Sequence, residues 1–149
     1  VIDGRQAHVD WIAGRLRAAD RAEVFAATGE NPDVVLYRSW ITSVYRWSIV
    51  HRGEIIGLFG LAPAALMGDT GVPWLLGTDA LENIKLSFVK QSIRFVGQML
   101  LLYPVLANWV DARNTLSVKW LKRLGFVLSA APQPYGFEQR PFYYFEKRR

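Results

Sequence analysis

Apolar and polar positions recur along this chain with two different periods, and the switches between them mark out its elements. Val9, Ile12 and Leu16 fall at helical spacing between Ala7 and Ala19, with arginines around them. Asp20 followed by Glu23 has the form of a capping pair, and Gly29 closes a second helix. Asn31-Pro32, a capping residue before a proline, starts a third helix through Val35, Leu36 and Trp40. At Tyr45 the period shortens. Tyr45 to His51 alternates as a strand, Arg52-Gly53-Glu54 turns the chain, and Ile55 to Leu61 completes a hairpin. After an irregular loop from Ala62 to Gly71, Val72 to Leu76 forms a third strand.

Asp79 with Glu82 repeats the helix-start pattern. From there Leu86, Val89, Ile93, Val96, Leu100 and Tyr103 predict one long helix, about 37 Å at ~1.5 Å per residue, stopped by Pro104. Val105 to Val110 is a nearly continuous apolar run, the mark of a buried strand. Asn114 then caps a short helix whose inner stripe is Val118, Leu121 and Leu124, and Gly125 ends it. Strands at Phe126 to Leu128 and Phe142 to Glu146, separated by a Pro- and Gly-broken loop from Ala130 to Pro141, complete the chain. There is no internal repeat and no linker, so residues 1–149 are read as a single domain.

Composition narrows the chemistry. With 149 residues the chain is long enough to bury a core, and although 51% is apolar, no stretch approaches the ~20 residues that span a bilayer. Cysteine is absent, which excludes disulfides, cysteine metal sites and a cysteine nucleophile, and fits a reducing compartment. His8 in the first helix and His51 beside a turn are far apart, so neither a metal site nor a Ser-His-Asp constellation has support. Val1-Ile2-Asp3, with no initiator Met and no signal-type apolar segment, reads as a start from which residues were cleaved or omitted. A net charge of +5 suits polyanions, whether nucleic acid or cofactor phosphates. The charge is spread along the chain apart from Lys119, Lys122 and Arg123 and the tail Lys147-Arg148-Arg149, so ordinary solvation accounts for most of it and nucleic acid is the weakest reading. The loop Pro132-Gln133-Pro134-Tyr135-Gly136-Phe137 reads as a substrate lid, a docking surface or simply a loop tucked onto the core.

The segment from Asn114 through Ser117, Trp120-Leu121 and Leu124-Gly125-Phe126 resembles the "N…S…(F/W)L…LGF" segment of the GNAT acyl-CoA-dependent N-acyltransferases. The order of elements resembles that superfamily along nearly the whole chain. The resemblance implies an α/β (α+β) GNAT-like fold with a central mixed, mostly antiparallel sheet of about six strands flanked by helices. It also implies acetyl-CoA as cofactor, Leu75, Leu76, Gly77 and Asn114 at the cofactor, and an amine as acceptor. Asp111, at the end of the buried strand, is the candidate base, with helix capping as its competing role. Two departures stand out. The family's Q/R-x-x-G-x-G/A phosphate loop is missing from Leu75 to Asn83, where Asp79 and Glu82 put negative charge at the helix end that would greet phosphates. Leu121 stands where many members carry the Tyr that protonates the leaving thiolate.

Pro73-Trp74-Leu75-Leu76-Gly77-Thr78-Asp79, Tyr103-Pro104, Asp111-Ala112-Arg113-Asn114 and Pro132-Gln133-Pro134-Tyr135-Gly136 together resemble small GNAT-like proteins of tailed bacteriophages, some of them named internal virion proteins. Two expectations result. One is an active acetyl-CoA-dependent N-acetyltransferase acting on an amine or a host protein. The other is a catalytically degenerate virion or host-interaction protein, located in the virion or the host cytoplasm. They divide on whether the strands Val72 to Leu76 and Val105 to Val110 part into an open, basic cleft or whether Trp74, Trp109 and Trp120 fill it.

Overall fold

In a computed structural model the described residues are 1–84 and 86–149, with the side chains of residues 86 and 87 outside the description. The chain begins with a short strand β1 (Ile2–Asp3), then α1 (Gln6–Ile12), α2 (Ala18–Thr28) and α3 (Pro32–Thr42). The meander β2 (Tyr45–His51), β3 (Glu54–Pro63) and β4 (Thr70–Gly77) follows. A 3-10 turn (Asp79–Asn83) leads to α4 (Leu86–Leu102), β5 (Val105–Asp111) and α5 (Thr115–Arg123). Strands β6 (Val127–Leu128), β7 (Gln133–Tyr135) and β8 (Arg140–Arg148) close the fold.

The sheet runs β1-β2-β3-β4-β5-β8-β6, with β7 on β8. Among the described residues every pairing is antiparallel except β4 with β5. The six expected strands are therefore present in the mixed, mostly antiparallel sheet, joined by the two short strands β1 and β7. Helices cover both faces. On one, Val9, Ile12, Val24, Leu36 and Trp40 of α1 to α3 pack on Leu58 and Leu76. On the other, Phe88, Val89, Phe95, Val96 and Met99 of α4 and Trp120 of α5 pack on Phe59, Leu106, Val110 and Phe145.

Three local expectations change. The first helix is shorter than Ala7 to Ala19, because Ala13 is extended and Gly14 takes a positive φ of 77°. Leu16 still reaches the core from the connection. Asp20 is not an N-cap: Arg17 takes that position and Asp20 lies inside the first turn of α2, facing inward.

The long helix is also divided. Ile84 is extended (φ −81°, ψ 116°), so the 3-10 turn, capped by Thr78, cannot run on into α4. What remains is 17 residues, about 25 Å. Its buried face carries Phe88, Val89, Ser92, Phe95, Val96 and Met99, while Ile93 is 56% exposed and leaves the expected stripe. Leu86 begins the helix, but its side chain lies outside the described residues.

Candidate active site

The site begins with a broken ladder. Strands β4 and β5 pair only at Thr70 with Val105 and Gly71 with Leu106 among the described residues, then diverge. Sequence explains where. Pro73 has no N–H to give a neighbouring strand, and Asn108 turns its side chain into the space, its Nδ2 donating to the Pro73 carbonyl at 3.0 Å. The Asn108 Oδ1 accepts from the Trp109 N–H at 2.8 Å. A side-chain amide thus replaces a ladder bond and holds the strands apart.

Strand pleating fixes what faces the gap. The Pro73 carbonyl and both backbone groups of Gly77 point away from β3, so Leu75, two residues from each, presents its N–H and C=O along the same open edge. Behind this edge lies a cavity of about 270 Å³ that passes through the sheet. On the α2 and α3 side its walls include Glu23, Val24, Trp74, Trp109 and Tyr135; on the α4 and α5 side they include Phe88, Ser92, Val96, Trp120 and Leu121. The three tryptophans line the space without filling it. An open cleft is confirmed, but not a basic one: among the described lining residues Glu23 alone is charged.

The outer end of the gap is closed by a buried polar cluster. Gly77 donates its N–H to Asp20 Oδ2 at 2.9 Å and accepts from the Arg17 N–H at 2.8 Å, so the start of α2 takes the place of a neighbouring strand. The Arg17 Nη2 reaches Asp20 Oδ1 at 2.7 Å, Asn114 Oδ1 at 3.0 Å and Ser117 Oγ at 3.3 Å. Asn114 Nδ2 donates to Asp20 Oδ1 at 3.3 Å and to Glu23 Oε2, while Glu23 Oε1 accepts from the Asp111 N–H at 3.2 Å. The cluster therefore ties the ends of β4 and β5 together through α2. Arg17, Asp20, Asp111 and Asn114 are all at most 3% exposed.

Burial governs the charges. It raises the Asp20 carboxyl above the ordinary range, against the pull of Arg17. Burial pushes Glu23 up to about 7, opposed by hydrogen bonds from Asn114 and the Asp111 amide and assisted by the charges of Asp20 and Asp111. A carboxyl that exchanges its proton near neutrality, at the wall of an apolar cavity, is equipped for proton transfer.

The expected site residues divide accordingly. Leu75 and Leu76 line the cavity. Gly77 and Asn114 meet at its end, with their polar groups engaged by Arg17, Asp20 and Glu23; Asn114 also caps α5 through the Ser117 N–H. The Asp111 carboxylate is held by Arg113 through Nε at 3.0 Å and Nη2 at 2.6 Å, and that contact raises the arginine's own pKa. Glu23 presents the carboxylate to the cavity instead. Its signal in the sequence is the spacing of Arg17, Asp20 and Glu23, three charged positions three apart on a face that also carries buried Val24.

No protein-family model and no curated protein matches this sequence. Solved structures do match in fold. A spermidine N-acetyltransferase from Vibrio cholerae, in complex with CoA and spermine, superposes with a TM-score of 0.68 at 13% identity, covering 98% of this chain and 92% of its own. A Bacillus subtilis acetyltransferase in complex with CoA gives a TM-score of 0.65 at 7% identity, covering 99% of this chain and 95% of its own. A GNAT-family acetyltransferase from Streptococcus pneumoniae gives 0.57 at 16%, covering 81% and 76%. The fold is that of the GNAT acetyltransferases.

Proposed function

We propose that this protein is an acyl-CoA-dependent N-acyltransferase, with acetyl-CoA as donor and Glu23 as the base. The observation that carries the reading is the cavity through the β4–β5 split, which joins both faces of the sheet and holds one carboxyl poised near neutral pH. Its apolar walls and the open peptide edge of Leu75 suit an acyl-pantetheine arm, which alternates methylene groups with amides. Leu75 would hydrogen-bond that arm and Leu76 would wall it, while Gly77 and Asn114 would keep the two strand ends at a fixed separation. When bound, acyl-CoA supplies an activated carbonyl carbon and a thiolate leaving group. Glu23 takes the proton of the incoming ammonium, leaving a neutral amine nitrogen, and the aromatic walls keep water from the carbonyl. Asp111 acts one step back, since its amide orients Glu23.

Thiol release from acetyl-CoA in the presence of amines tests this. The rate should rise with pH through an apparent pKa of about 7 and fall at least ~100-fold in Glu23→Gln. A second reading is a GNAT-fold virion or host-interaction protein of a tailed phage that transfers nothing. It is favoured by Leu121, an apolar side chain on the α5 wall of the cavity where a proton donor for the thiolate would stand, and by the acidic Asp79–Asn83 turn ahead of α4. Absence of both thiol release and CoA-dependent thermal stabilisation would leave that second reading.

A further inference from the structure

The cavity wall between α2, α3 and β5 has a composition that selects among amines. Trp109 stacks on Tyr135 with ring centroids 4.3 Å apart and planes 12° from parallel, and Phe142 extends the group at 5.2 Å from Tyr135. Tyr135 comes from β7, so the aromatic loop noted in the sequence contributes a wall rather than a detached flap. Trp74 spends its indole N–H on Ser43 Oγ at 2.7 Å, which leaves the ring as apolar surface. Against these rings stands one carboxyl, Glu23, with lone pairs to spare beyond its bonds to Asn114 and the Asp111 amide.

We infer that the acceptor is a lipophilic monoamine: a single ammonium paired with Glu23 and an aromatic or alkyl body lying against Trp74, Trp109 and Tyr135. The assignment rests on the acyltransferase reading for the acceptor's chemical role, but the pocket's selectivity stands on its own. An ammonium is held by the carboxylate and by adjacent ring faces. A second ammonium, as in a polyamine, would lie in an apolar wall that offers no further counter-charge among the described residues, and its desolvation would oppose binding. A carboxylate on the ligand would meet Glu23, with Asp20 and Asp111 close behind it. Selection therefore runs against both polyamines and amino acids.

The test is equilibrium binding to the whole protein at pH 8, without CoA, of 2-phenylethylamine, spermidine and 3-phenylpropionate. The amine with one charge and one ring should bind at least ~10-fold more tightly than either of the others, a gap of about 1.4 kcal/mol. Glu23→Gln should remove its advantage over 3-phenylpropionate. Ser39→Phe, on the α3 wall, should weaken 2-phenylethylamine binding by a similar factor even if the Glu23 variant does not fold. Equal or tighter binding of spermidine, or no saturable binding of 2-phenylethylamine, would overturn the inference. Binding of 2-phenylethylamine without any acetyl transfer supports the amine pocket and removes the acyltransferase reading. Transfer to spermidine but not to 2-phenylethylamine does the reverse.

Discussion

The two ends of the gap between β4 and β5 are built by opposite means. At the outer end Arg17, Asp20, Glu23 and Asn114 pack polar atoms against one another, and the strands are held by charge-assisted hydrogen bonds. Further in, the same strands are held apart around an apolar space. An apolar cavity behind a polar clasp needs the clasp, because nothing apolar pulls the unpaired edges of β4 and β5 together. The contrast also accounts for Glu23. It belongs to both regions, bonded to the clasp and facing the cavity, and so its proton is held neither firmly nor loosely.

Breaking the clasp should have the largest effect. Arg17→Ala leaves Asp20 buried without its counter-charge and should cost about 3–5 kcal/mol, read by urea denaturation at pH 7. The paired change Arg17→Met with Asp20→Leu should recover much of that loss, since no isolated charge remains, although Gly77 and Asn114 each lose a partner. If the double variant were no more stable than Arg17→Ala, the ion pair would not be the centre of the clasp.

Next in size is the pH dependence contributed by Glu23. Its carboxyl moves from an ordinary 4.5 to about 7 on folding. Between those values the native protein binds more protons than the unfolded chain, so stability falls as pH rises through the window and the cost is fully present above about 7. The contribution is up to about 3 kcal/mol. Denaturation midpoints measured from pH 4.5 to 8 should therefore show a downward component in the parent protein that Glu23→Gln lacks. Identical profiles for the two would show that Glu23 titrates in the ordinary carboxyl range, and the rise of rate through pH ~7 would then belong to another group.

The smallest expected effect lies outside both regions. Asp79 and Glu82 put negative charge on the 3-10 turn ahead of α4, and replacing them together by Asn and Gln should tighten acetyl-CoA binding a few-fold, with the gain shrinking at high salt. Acetyl-pantetheine, which lacks the phosphates, should show no such gain.

Much of the fold was legible because its signals are local. The Asn114 cap, the glycine at 125, the apolar run of β5 and the alternation of β2 depend on neighbours within a few residues. The split and the clasp depend on distant ones. Asp20 followed by Glu23 reads as a capping pair, and only contact with Asn114, more than ninety residues away, shows that both side chains turn inward. Pro73 and Asn108 have the same quality: neither marks a break in the sheet by itself, and together they place the point of divergence. Asp111 drew attention as a carboxylate at the end of a strand, yet Arg113 two residues on engages it. Leu75 and Leu76 line the cavity.

Calorimetric titration of the whole protein with acetyl-CoA, beside Ser92→Phe, decides whether the gap between β4 and β5 binds acyl-CoA. Ser92 is buried on the α4 side of the cavity, so a phenyl ring there would occupy the arm's space. Saturable one-to-one binding to the parent protein is expected, with a loss of at least ~10-fold in the variant, about 1.4 kcal/mol. No binding at millimolar acetyl-CoA, or equal binding by both proteins, would contradict it.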